Sequence, residues 1–160
     1  MHTQEVVCPG CGKPAIVNVI KDKTTSTPCQ HCKKTIQVRA NRESEIVDIR
    51  IVGCFITTAC VNARHNDPNG EHILNVLRTY RDEYVRTLNE GGRLLEHYYD
   101  IAPRIVDSIN NRSNSSEIFE EIYAKHLVAA VVLIEFNRND EALKIYSSLV
   151  SKLEEDYLRF

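Results

Sequence analysis

Two pairs of cysteines carry the most specific chemistry in the chain. Cys8-Pro-Gly-Cys11 and Cys29-Gln-His-Cys32 are C-x2-C pairs with 17 residues between them. A two-residue gap lets one tight turn aim two sulfurs at a single ion, and two such turns complete a tetrahedron. Gly10 and Gly12 supply the backbone freedom such turns use. Four thiolates leave no position open for a substrate, so the expected metal is a structural Zn2+, one per chain. Iron in the same donor set stays open on spacing alone. Disulfides need an oxidising compartment, and Met1–Val7 has no charged head followed by an apolar core of the kind that directs export. His31, with four thiolates beside it, is expected to face solvent.

The elements that must position these sulfurs are strands. Ala15–Ile20 alternates in polarity and is rich in Val and Ile, Asp22-Lys23 can reverse the chain, and Thr35–Arg39 reads as another strand. This plan, with C-P-x-C-G near the start and C-x-H-C after a hairpin, resembles the zinc ribbon family. The resemblance implies a small β module over residues 1–42, held together by its metal. A module of this size has too little core to fold alone, and zinc binding contributes on the order of 10 kcal/mol. Residues 43–53 follow as an extended connector. Its Glu45–Gly53 stretch, EIVDIRIVG, either adds a strand to the ribbon or leads into the next module.

Composition supports two modules. All six cysteines lie in the first 60 of 160 residues. Residues 1–42 hold seven Lys/Arg against two Asp/Glu, net +5, while residues 43–160 hold 13 against 20, net −7. Lys13, Lys21, Lys23, Lys33, Lys34, Arg39 and Arg42 are candidates for a nucleic-acid-binding face. Four thiolates and one zinc lower that charge to about +3, and residues 1–42 contain no Trp, Tyr or Phe to stack on bases. Nucleic acid is therefore possible but not favoured over a protein partner. The longest apolar run, Leu127–Ile134, is eight residues, short of the roughly 20 that span a bilayer, so no membrane is expected. The expected compartment is cytoplasmic.

A second cysteine cluster opens the rest of the chain. In Gly53-Cys54-Phe55-Ile56-Thr57-Thr58-Ala59-Cys60, Gly53 ends the extended stretch and the residues after it can open a short helix. A cysteine at a helix N-terminus has its thiolate favoured by the helix dipole, which makes Cys54 a candidate nucleophile. Free cysteines are also among the most buried residues, which gives Cys54 and Cys60 a packing role instead. Arg78, Arg81, Asp82, Tyr98 and Tyr99 can converge on Cys54, the guanidinium favouring a thiolate and a tyrosine donating a hydrogen bond. The same residues also serve as helix ties and as core with a polar tip.

CFITTACVN, VLRTYRDEYV and HYYDIAPRIVDSI together resemble the CFI-box domain of bacterial and archaeal proteins, over Cys54–Ile109. Cys54, Phe55, Ile56, Thr58, Leu77, Arg78, Arg81, Asp82, Tyr98, Tyr99 and Pro103 match its pattern. Thr57, the Cys60-Val61-Asn62 run, Tyr80 and Ala102 depart from it. The resemblance implies a domain and brings no activity with it.

Residues 54–160 otherwise read as helical. Asn62–Gly70 is loop-like; Glu71–Glu90 has an apolar face of Ile73, Leu77, Tyr80, Tyr84 and Leu88 and is ended by Gly91-Gly92. Arg93–Asn110 follows, kinked or restarted at Pro103. Glu117–Phe136 and Glu141–Leu158 form a helical hairpin over 116–159. The expected fold is α+β: a small β zinc ribbon followed by a bundle of four to five helices. No H-E-x-x-H, Ser-His-Asp order or phosphate-binding Gly-rich loop is present. The functional expectation is a zinc-binding intracellular adaptor. Two alternatives stand beside it: a Cys54-dependent thiol enzyme supported by Arg81 and Tyr98 or Tyr99, and a nucleic-acid-binding accessory protein. The sequence leaves the oligomeric state open.

Overall fold

The computed structural model describes residues 1–32 and 34–159; Lys33, one of the seven N-terminal cations, lies outside them. Five strands come first and helices follow, the α+β arrangement expected from the sequence. The chain divides into two compact units, Met1–Gly53 and Cys54–Phe160.

The first unit contains β1 (His2–Val7), β2 (Pro14–Val19), β3 (Thr24–Pro28), β4 (Thr35–Ala40) and β5 (Ile46–Val52). β1 and β2 form a two-stranded antiparallel sheet, and β4 is the centre of a three-stranded one between β3 and β5. Alternation decides which side chains enter the core. Ala15, Val17 and Val19 point in from β2, Ile36, Val38 and Ala40 from β4, and all six pack with Cys8 and Cys29. Of the two readings of Glu45–Gly53, the structure shows the added strand: β5 runs antiparallel along β4 from Thr35↔Val52 to Ala40↔Ile46. The sheets meet where the Asn18 N–H donates to Thr27 Oγ1 at 3.3 Å and the Thr25 hydroxyl donates to the Asn18 carbonyl. Asp22, at φ 56°, makes the reversal read from the sequence.

This unit is an internal repeat. Cys8, Cys11 and Lys13 recur 21 residues later as Cys29, Cys32 and Lys34. The strand pairing recurs with them: Val7↔Pro14 closes the first cysteine turn and Pro28↔Thr35 closes the second.

The second unit contains α1 (Phe55–Ala63), α2 (Gly70–Glu83), a 3-10 turn at Val85–Thr87, α3 (Gly91–Asn110), α4 (Ser115–Ile122), a π-helical turn at Tyr123–Leu127, α5 (Val128–Glu135) and α6 (Asn139–Leu158). The α4, π and α5 segments are continuous, which makes five helical rods. Their core is built from Ile56 and Cys60 of α1, Leu77 of α2, Ile105 and Ile109 of α3, Leu127, and Leu149 and Leu153 of α6. The loop after α1 is pinned to the π turn. Arg64 pairs with Glu120 and with Asp67 (3.3 Å), its guanidinium lies 4.2 Å from the centre of the Tyr123 ring, and the Tyr123 hydroxyl donates to Asp67.

Two helix boundaries differ from the sequence reading. α2 stops at Glu83, not at Glu90, and Gly91-Gly92 opens α3. The Thr87 hydroxyl donates to the Tyr84 carbonyl at 2.7 Å, a bond that competes with helix continuation, and Leu88 is extended at ψ 148°. The apolar spacing carries on through Val85 and Leu88 although the helix does not. In α3, Pro103 lies inside one helix spanning Gly91–Asn110.

The start of α3 leaves no room for a side chain at its first residue. A Cβ on Gly91 would lie 1.8 Å from the Val85 carbonyl oxygen, whereas one on Gly92 meets nothing within 4 Å. Gly91→Ala is expected to destabilise the protein by at least about 2 kcal/mol through forced backbone movement. Gly92→Ala should be neutral or stabilise by up to about 1 kcal/mol. Urea denaturation of both variants checks the pair; equal midpoints would show that the close approach does not constrain the turn.

Candidate functional site

The strand repeat positions the four cysteines. In the first turn the Cys8 N–H donates to the Lys13 carbonyl at 2.9 Å, and in the second the Cys29 N–H donates to the Lys34 carbonyl at 2.9 Å. Gly12 takes φ +70°, and its N–H closes onto the Cys8 carbonyl at 2.9 Å. The Gly10 N–H points at the Cys8 sulfur, at 3.4 Å. Gly10 itself is held close: a Cβ there would sit 3.1 Å from the Lys34 side chain and 3.2 Å from Ile51.

The turns bring all four sulfurs together, each within 4.8 Å of the others. Cys8 Sγ lies 3.8 Å from Cys32 Sγ, and Cys11 Sγ lies 3.9 Å from Cys29 Sγ. Four thiolates at about 2.3 Å from one ion form a tetrahedron with edges of about 3.8 Å. A disulfide needs about 2.05 Å, and all six cysteines are free. The donor set therefore fits a single structural metal ion. His31 shares the second turn but is exposed and outside the four-sulfur group.

The protons on this cluster are unevenly held. Backbone N–H groups of Cys32 and His31 pull the Cys29 thiol down, while burial pushes the Cys8 thiol up. Two thiolates in contact repel, so the first charge settles where the amides converge. A cation at the centre removes that conflict and lets all four deprotonate.

The six described N-terminal cations are exposed but do not form one face. Lys13 and Lys34 flank the cysteine turns. Lys21, Lys23 and Arg42 gather at the opposite end, where the Asp22 N–H bonds the Asn41 carbonyl and Arg42 pairs with Asp22 at 3.7 Å. Arg39, opposite Thr24, lies toward that same end.

The second predicted cluster also assembles. Cys54 is the N-cap residue of α1, and Arg81 Nη1 donates toward its sulfur at 3.8 Å. Arg81 also forms a two-pronged pair with Asp82, both bonds at 2.8 Å, and Arg86 reaches the same carboxylate at 3.1 Å. Tyr98 and Tyr99 are buried beside this group. Cys54 is itself buried, at 7% exposure. Burial pushes its thiol up, and the opposing pull of Arg81 and Arg78 does not offset it. Cys60 is fully enclosed, and burial pushes it up to about 12.

Tyr98 has a defined task in this arrangement. Its oxygen accepts from the Ile56 N–H at 3.2 Å, one of the first-turn amides that α1 cannot satisfy itself. The Tyr146 hydroxyl donates to the same oxygen at 3.4 Å and contacts Thr57 Oγ1 at 3.3 Å. Tyr146 was not singled out in the sequence, and Thr57 only as a departure from the CFI-box pattern. Tyr146 lies 89 residues from Thr57, and no local pattern marks the pairing. The cluster can cap a helix and enclose a neutral thiol.

No family model matches the chain, and neither a curated protein nor a solved structure does. No helix among the described residues is long and apolar enough to cross a membrane.

A raised thiol pKa leaves less thiolate at neutral pH than an ordinary cysteine has. Cys54 and Cys60 in the folded chain are expected to react with iodoacetamide at least about 100-fold more slowly than free cysteine near neutral pH. The Cys54 rate should still be climbing at alkaline pH, and Arg81→Ala should slow it further by removing a charge that favours the thiolate. Mass-resolved labelling across pH reads this directly; Cys54 reacting faster than free cysteine would mark an activated nucleophile.

Proposed function

We propose that the chain is a zinc-ribbon protein that works as a cytoplasmic interaction module, docking to protein partners. The observation that carries this reading is the spacing of Cys8, Cys11, Cys29 and Cys32, whose 3.8 and 3.9 Å contacts match the edges of a thiolate tetrahedron around zinc. A four-cysteine site is closed to substrate, so its metal holds the fold of residues 1–53, β5 included, and performs no chemistry. The helical unit is similar to the CFI-box domain over Cys54–Ile109, with its cysteine buried. The adaptor role is supported by these two sites together, one closed and one enclosed.

A second reading, a Cys54-dependent enzyme with Arg81 and Tyr98 or Tyr99 in support, is favoured by the 3.8 Å contact between Arg81 and Cys54. The labelling experiment above separates the two. A nucleic-acid role is disfavoured by the division of the basic residues between two ends of the first unit.

Native mass and metal analysis should find one zinc per colourless chain, and none in Cys29→Ser. Chelation or acidification should release the metal as the thiolates take up protons. Hydrogen exchange should then show residues 1–53 losing protection while the helical unit keeps its own. Metal-free protein from fresh, reduced preparations would overturn the zinc reading, and a coloured iron-loaded protein would replace it. The full chain should retain proteins from a soluble extract that Cys29→Ser does not. It should bind no nucleic acid at about 50 mM salt, where electrostatic binding is strong.

A further inference from the structure

Leu127–Ile134 is apolar at every position. A helix apolar all round needs cover on every side. Within the chain, α5 is covered by α6 and α2. One face stays open: Val128 is 38% exposed, Val132 45% and Phe136 75%. Ala124 and Lys125, in the preceding π turn, and Glu135, at the end of α5, are exposed as well.

We propose that this face joins two copies of the chain through an antiparallel pairing of α5 with itself. The choice of a second copy rests on self-complementarity. A two-fold axis level with Ala130 sets Val128 against the partner's Val132, Ala124 against the partner's Phe136, and Lys125 against the partner's Glu135. Each contact occurs twice, as a closed two-fold interface requires. The small Ala124 leaves room for the aromatic ring, and cation meets anion at both rims. A parallel pairing would instead set Lys125 against Lys125 and Phe136 against Phe136. Within the chain, Lys125 pairs with Glu121 and Glu135 with His72, each at 2.7 Å. Both are exposed surface pairs, which hold their charges weakly and leave them available to a second partner. The patch is small, so the dimer has micromolar rather than nanomolar affinity.

Sedimentation velocity of the metal-loaded full chain from about 1 to 300 µM reads the equilibrium, because dimer content follows concentration. A dimer should appear within that range. Val132→Glu should weaken it at least about tenfold by placing a charge in the apolar centre. Lys125→Glu and Glu135→Lys should each weaken it about tenfold or more through like charges at both rims. Mixing those two variants, or combining them in one chain, should restore association, because opposite charges again face each other. Circular dichroism confirms that each variant folds. A monomer throughout the range overturns the proposal. So does a dimer indifferent to Val132→Glu, or charge variants that fail to rescue one another; either result places the contact elsewhere or leaves this face to a different protein.

Discussion

The first unit depends on four sulfurs sharing one small volume. Eight buried residues form its core, and two of them, Cys8 and Cys29, are members of the sulfur cluster. Ordering a residue's backbone costs about 1–2 kcal/mol, and so few buried side chains cannot offset that over 53 residues. The cluster is thus both ligand set and core. It also explains why β1 and β3 form at all. Their side chains are mostly exposed, and neither strand has an apolar face of its own. Each is held because it leads into a cysteine turn that must close against the following strand.

The repeat follows from the same constraint. A tetrahedral centre needs two pairs of donors presented from opposite sides, and the simplest solution uses one strand–turn–strand unit twice. The match extends to the hydrogen bonds, since the N–H of the first cysteine in each turn meets the carbonyl of a lysine five residues on. Symmetry in the donors does not carry over to the metal-free protons. The amides at Cys29 favour a thiolate, and burial at Cys8 opposes one. A cation at the centre would make the two halves chemically equivalent.

Legibility in the sequence tracked how local the cause was. The cysteine spacing encodes its geometry within a few residues, so the four-sulfur cluster could be read directly. β2 and β4 were readable from alternation and Asp22 from turn chemistry, whereas β1 and β3 were not, because exposed strands carry no apolar period. The repeat is faint because, beyond the cysteines and one lysine, only scattered pairs such as Val17 and Val38 match. Apolar spacing overran the end of α2, since Val85 is buried from a 3-10 turn and Leu88 follows half-buried on an extended residue. The π turn left no trace in spacing. Convergence of Cys54, Arg81, Tyr98 and Tyr99 was legible; its electrostatic outcome was not, because the burial that outweighs Arg81 comes from tertiary packing and not from local sequence.

That outcome follows from how α1 begins. Cys54 occupies the N-cap but makes no side-chain capping bond, so the helix must be capped from outside. Tyr98 of α3 supplies the acceptor, and Tyr146 of α6 orients it. A cap delivered from other helices brings the Tyr98 and Tyr146 hydroxyls to the helix start, where Cys54 is itself buried. Burial at this helix start raises the Cys54 thiol. An activated thiolate would need the opposite arrangement, with the helix end open to solvent and α1 capped by its own side chain. The price of the present one is a short helix whose first turn depends on α3 and α6 being in place, which ties the folding of α1 to the rest of the helical unit.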